Sequence, residues 1–114
     1  MRVLLDHCVP RSLRLLLVGQ EVKTARQMGW STLRNGDLLR TAAPEFGAFL
    51  SVDQGIDRDY GSGPLPMPVL LLIAHTNRRA ELQPLVPAVL LLLQRPLELR
   101  LYCIDRAGLV ERTR

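Results

Sequence analysis

Cysteine is almost absent from this 114-residue chain. Its two examples, Cys8 and Cys103, lie in neither a Cys-x-x-Cys pair nor a His/Cys group with zinc spacing. Zinc-finger and dithiol redox chemistry are thereby excluded, and both thiols read as small buried apolar side chains. Lysine is scarcer still: 14 of the 15 basic residues are arginine, and Lys23 is the exception. Long apolar runs are also missing. The run from Met67 to Ala74, broken by Pro68, falls far short of the roughly 18 to 20 residues that span a bilayer, so no transmembrane helix and no membrane partner are expected. The start, Met1-Arg2-Val3-Leu4-Leu5-Asp6, meets an acid before an apolar signal region can form, which points to a cytoplasmic protein. Aromatic residues make up only 4% of the chain. Trp30, Tyr60 and Tyr102 are candidates to stack a base, although Trp30, next to Gly29, is better suited to plug the core edge.

What the chain does have is positive charge and a few well-placed acids. The formal charge is +4, with a pI near 9.8. Arginine forks suit phosphate, so a nucleic-acid substrate fits the balance; an Arg-for-Lys bias also follows from genome composition alone, which makes the charge supporting evidence only. The length fits one compact domain over residues 1–114, with no internal repeat and no linker.

Residues 2 to 5 read as a short buried strand. Pro10 followed by Arg11 to Leu17 reads as a helix with proline in its first turn and Gly19 as its stop. Glu21 to Ala25 alternates weakly and reads as a second strand, and Met28-Gly29-Trp30 as a break. From Asn35 to Ala43 apolar positions recur at helical spacing, with Asn35 or Asp37 able to cap the start. Ala48 to Val52 is apolar except for Ser51, as expected of a central strand covered on both faces. Residues 54 to 66 show no period and read as a long loop, and Met67 to Ala74 carries the strongest strand signal. Arg78 to Leu93 places Leu82, Leu85, Val86, Val89, Leu90 and Leu93 on one helical face, with Pro84 and Pro87 predicting a kink or two short helices. Leu97, Leu99, Leu101 and Cys103 alternate with Glu98, Arg100 and Tyr102, the pattern of a half-exposed last strand. The order β-α-β-α-β-β-α-β predicts an α/β fold: a three-layer α/β/α sandwich around a mostly parallel sheet of about five strands.

In such a sheet the strand ends beside a topological switch point form the ligand crevice. Asp6 ends the first strand run, Asp53 ends the third, and Asp37 opens the helix before it. Carboxylates gathered there suit a hard divalent ion such as Mg2+ or Mn2+, which takes one or two carboxylates and fills its remaining positions with water and phosphate oxygens. An ion so held can drive phosphodiester hydrolysis without a protein nucleophile. Asp6 and Asp53 would anchor it; Asp37 would complete the set directly or through a water, although a helix start is also an ordinary place for an acid. Asp57 and His7 are further candidates, with Asp59 and His75 read as solvated or lone side chains. Arg58 and Arg78, with Arg79, are candidate phosphate and RNA contacts.

The segments Met1 to Pro10, Met28-Gly29-Trp30, Asn35 to Leu39 and Phe49 to Asp53, with Asn77-Arg78 and Leu85 to Ala88, together resemble the small PIN-like proteins, relatives of the toxin ribonucleases of bacterial toxin-antitoxin modules. The resemblance runs nearly the whole chain. It implies a PIN-like sandwich, a Mg2+ or Mn2+ site, and single-stranded RNA as substrate. The Leu-rich segments 82 to 93 and 65 to 73 offer an apolar face for an antitoxin or a second copy of the chain, with burial in the domain's own core as the default. The resemblance carries over Asp6 as the first-strand acid, Asp37 as the helix acid and Asp53 as the acid after the third strand. The chain departs from the pattern in three places: His7 stands where a second acid is common, Asp37 is the shorter acid where Glu is common, and the segment after Asp53 lacks the usual polar helix signal. The expected function is a metal-dependent ribonuclease, the toxin component of such a module. Two alternatives remain: a non-catalytic PIN-like partner-binding module, and a receiver-type phosphoacceptor domain with Asp53 as acceptor. The second is disfavoured because the only lysine, Lys23, lies in the wrong element.

Overall fold

The computed structural model describes residues 1–60 and 64–111; of residues 57, 59, 60 and 109–111 it describes the backbone alone. The strands are β1 (Arg2–Leu5), β2 (Glu21–Thr24), β3 (Ala48–Ser51), β4 (Val69–Leu72), β5 (Leu101–Asp105) and β6 (Gly108–Glu111). They form one sheet in the order β2-β1-β3-β4-β5-β6, in which every pairing is parallel except that of β5 with β6. The chain leaves β1 toward β2 on one side and returns to β3 on the other, so the switch point lies between β1 and β3.

The sheet is covered on both faces, which is why its strands read as continuous apolar runs. Strand alternation sends Val3, Leu5, Ala48, Leu50, Leu70, Leu72, Tyr102 and Ile104 to one face. There they meet Leu13 and Leu17 from a 3-10 helix (Arg11–Leu16) and its end. They also meet Leu82, Leu85, Val86 and Val89 from the segment after β4. Leu4, Phe49, Val69, Leu71, Leu101 and Cys103 point the other way, onto Leu38, Leu39 and Ala42 of α1 (Asn35–Ala42) and Ile56 of α2 (Gly55–Tyr60). The result is the expected three-layer α/β/α sandwich.

The proline-bearing segment after β4 divides as its composition predicts. It forms α3 (Arg79–Leu82), a 3-10 turn (Gln83–Leu85) and α4 (Val86–Leu93), with proline in the first turn of each of the last two. Three expectations fail. The loop read over residues 54 to 66 contains α2, started by Asp53, whose carboxylate accepts from the Gly55 N–H at 2.9 Å and whose carbonyl accepts from Ile56 N–H at 3.1 Å. The last parallel strand begins at Leu101, not Leu97, and is buried instead of half-exposed, because β6 pairs with its outer edge and residues on both of its faces pack into the core. The hairpin to β6 turns at Gly108, whose φ of +115° is open to glycine at no steric cost. Asn35 and Asp37 do not cap α1; the cap position is Arg34, which makes no side-chain cap bond. Among the described residues, no helix is long and apolar enough to cross a membrane.

Candidate active site at the strand switch point

Asp6 follows β1 directly, and its N–H still donates to Leu50 of β3 at 2.9 Å, so its carboxylate is fixed beside the neighbouring strand. It is only 4% exposed, a rare position for an acid. Three donors hold it there. The His7 N–H reaches Oδ1 at 2.8 Å, while Ser51 Oγ donates to Oδ2 at 2.7 Å and the Cys8 thiol to the same oxygen at 3.6 Å. Ser51, itself fully buried in β3, uses its hydroxyl twice: as donor to Asp6 and as acceptor from the Asp53 N–H at 3.0 Å. One hydroxyl thus ties the two strand-end acids together.

Asp53 is exposed, but its carboxylate is also oriented. Oδ1 takes the Gly55 N–H, and Oδ2 accepts from Asn35 Nδ2 in α1 at 3.2 Å. The residue expected to cap α1 instead reaches across to the acid of β3. A Cβ on Gly55 would stand 3.0 Å from Asp53 Oδ1 and 3.2 Å from Arg58 Nη2, so the Arg58 guanidinium lies close to this carboxylate. Burial, and next the charge of Asp6, push the Cys8 thiol above its ordinary value, although a hydrogen bond from the backbone of Val52 opposes the shift. Cys8 therefore stays protonated at neutral pH and serves as a donor, not as a nucleophile. Asn77, before α3, donates from Nδ2 to the Cys8 carbonyl at 3.0 Å and pins the loop that carries Asp6.

The other candidates are dispersed. Asp37 lies in the first turn of α1 with its carboxylate in an exposed ion pair with Arg40 at 2.7 Å. The His7 ring is exposed and borders a cleft next to Asp6. Arg78 is exposed at the start of α3, and its N–H donates to Thr76 Oγ1. Arg79 and His75 are exposed. The side chains of Asp57, Asp59 and Tyr60 lie outside the described residues. Tyr102 cannot stack a base: it is 2% exposed, with its hydroxyl accepting the Glu98 N–H at 2.9 Å. Trp30 packs edge-on against Phe46 at 6.0 Å, the core-edge role expected of it.

Among the described residues, no three His, Cys, Asp or Glu side chains gather as a metal-binding group. The two acids that share a hydrogen-bond partner are Asp6 and Asp53. All their donor atoms are carboxylate oxygens, each with lone-pair capacity beyond the hydrogen bonds it accepts, and this chemistry fits a Mg2+ or Mn2+ ion that keeps most of its waters.

Beside Asp6 opens a cleft of about 920 Å³, lined on one side by Pro10, Arg11 and Arg14 and on the other by Thr24, Arg26 and Gln27. Sequence reasoning had no reason to single out these three arginines. Arg11 and Arg14 look like the outer face of a helix, and Arg26 follows β2; only the parallel pairing of β1 with β2 brings them together. Ser51 was legible only as an interruption of an apolar run. No protein-family model, curated protein or solved structure matches the chain.

Proposed function

We propose that this chain is a PIN-like, metal-dependent ribonuclease that hydrolyses phosphodiester bonds of single-stranded RNA as the toxin component of a toxin-antitoxin module. The observation that supports the reading is the Asp6–Ser51–Asp53 unit: a buried carboxylate joined through one hydroxyl to the backbone N–H of a second, exposed acid at the switch point. A Mg2+ or Mn2+ ion bound by Asp6 and Asp53 would supply Lewis acidity and a water of lowered pKa. Asp6, held by three donors, keeps its orientation as substrate arrives. Asp53 reaches toward solvent, where a phosphate can approach. Asp37, held away from the unit by its exposed pair with Arg40, would take part only once that pair opens, which costs no more than about 1 kcal/mol for an exposed pair. His7 and Arg58 border this unit and contact substrate phosphate.

A second reading, a partner-binding module without turnover, is favoured by a different observation. All four carboxylate oxygens of Asp6 and Asp53 already accept protein hydrogen bonds, and Asp37 is engaged elsewhere. Its partner would be an antitoxin or a second copy, met by exposed apolar side chains such as Leu15, Val18 and Leu91. The receiver-type reading shares the strand order, but the end of β5, where it needs lysine, carries Asp105 and Arg106. The first two readings separate when purified protein is given a mixed single-stranded RNA panel with Mg2+, with Mn2+ and with chelator. Cleavage that requires metal supports the nuclease; a folded protein that cleaves nothing and gains no thermal stability from either ion supports the binding module.

A further inference from the structure

We infer that the cleft between the 3-10 helix and the turn after β2 is a phosphate-seating subsite for the nucleotide next to the scissile bond, held by Arg11, Arg14 and Arg26. The RNA would then leave the carboxylate pair across β1 toward β2. The inference deepens the ribonuclease reading and rests on it for the identity of the ligand.

The chemistry of the lining carries it. Arg11, Arg14 and Arg26 are all exposed, and none forms an ion pair with any described residue, whereas Arg2 pairs with Glu21 and Arg40 with Asp37. Three like charges around one cleft repel one another, and an anion between them removes that repulsion. The neutral polar residues of the wall keep donors to give. Thr24 and Gln27 use their side-chain oxygens on each other's N–H groups, Gln27 N–H to Thr24 Oγ1 at 3.0 Å and Thr24 N–H to Gln27 Oε1 at 2.9 Å. That leaves the Thr24 hydroxyl proton and the Gln27 Nε2 hydrogens to give. The one acid in the lining, Asp6, is almost fully buried, and each of its oxygens accepts a hydrogen bond from the protein. Three guanidinium groups against one buried carboxylate leave the lining net positive, which favours anions.

Size and position name the anion. The volume of about 920 Å³ is at the upper end of small-ligand sites of roughly 300–1,000 Å³, which admits a nucleotide unit and not merely an ion. Val9, Pro10 and Ala25 supply an apolar floor for ribose or base. Because Asp6 borders both the cleft and the carboxylate pair, a phosphate seated in the cleft is a neighbour of the one at the ion. The path differs from one over Arg58 and Arg78, neither of which lines the cleft.

The test is anisotropy binding of a short fluorescein-labelled oligouridine to the full chain in chelator, over a range of salt concentrations. R11Q/R26Q takes one guanidinium from each wall. R95Q/R106Q removes the same charge from exposed positions after α4 and in the β5–β6 turn. We expect R11Q/R26Q to weaken binding by about tenfold or more and to flatten the log-log salt slope by about 1.4, at about 0.7 for each phosphate contact on a single strand. R95Q/R106Q should leave the slope near that of the parent. Equal losses in both pairs, parent-like binding by R11Q/R26Q, or no binding by the parent would each overturn the subsite. The nuclease reading fails separately. RNA bound through the cleft but cleaved with no metal ends that reading and keeps the subsite; Asp6-dependent cleavage with an unchanged KM in R11Q/R26Q does the reverse.

Discussion

Asp53 and Asp105 occupy equivalent places in the sheet, and their local structures are nearly the same. Each lies at the carboxyl end of a buried parallel strand, and each accepts the N–H two residues on, Gly55 at 2.9 Å for Asp53 and Ala107 at 2.8 Å for Asp105. The difference is in what stands beside them. Next to Asp53 is β1, reached across the switch point, with the buried Asp6 and the linking Ser51, and Asn35 arrives from α1 to fix the second oxygen. Next to Asp105 is β6, the returning arm of its own hairpin. One acid shapes a turn, while the other shapes a turn and is tied through its backbone N–H and Ser51 to a second acid. A strand-end acid becomes a candidate site only where the winding reverses.

The largest effect should come from removing the partner acid. D6N keeps the size and shape of the side chain but removes its charge. RNA cleavage should drop by about 10²- to 10⁴-fold, the equivalent of several kcal/mol of ion-derived charge stabilisation, while circular dichroism shows the fold intact. S51A attacks the link itself, leaving Asp6 Oδ2 without its 2.7 Å donor and the Asp53 N–H without its acceptor. Chemical denaturation should show a loss of about 1–3 kcal/mol, the cost of leaving a buried polar group unpaired. D105A, on the other side of the comparison, should cost at most about 1 kcal/mol, by loss of one turn hydrogen bond, and leave cleavage unchanged; reduced turnover in D105A would erase the distinction between the two acids.

The smallest effect concerns the thiol beside Asp6. Because burial and Asp6 raise the Cys8 value in the folded protein, the unfolded chain gives up its proton first as pH increases. The folded state is then favoured fully below about pH 9, the ordinary thiol value, and loses that contribution above it. Stability curves of the parent should decline on the alkaline side more than those of C8A; equal slopes would mean that the fold does not hold the thiol above its ordinary value.

Part of the fold was legible because β1 and β3 are short apolar runs soon followed by an acid, and because proline marks the breaks of the last helical segment. Leu5 is followed by Asp6, and Pro84 and Pro87 divide the last helical segment as their missing N–H groups require. The acids at the β1 and β3 ends were legible for the same reason. Helix α2 was not, since it spans six residues around the buried Ile56, too little for a period to register. The alternation from Leu97 to Cys103 misled because Tyr102, although flanked like a surface residue, turns inward and binds Glu98 through its hydroxyl. Ser51 and the cleft arginines were hidden for another reason. Their significance depends on a neighbouring strand or helix, which local pattern does not encode.

The most direct test of the account is Mg2+-dependent cleavage of a single-stranded RNA by the parent, D6N, D53N and D105N in one assay. The account predicts metal-dependent cleavage by the parent and by D105N, and none by D6N or D53N; cleavage by D6N at the parent rate would contradict it.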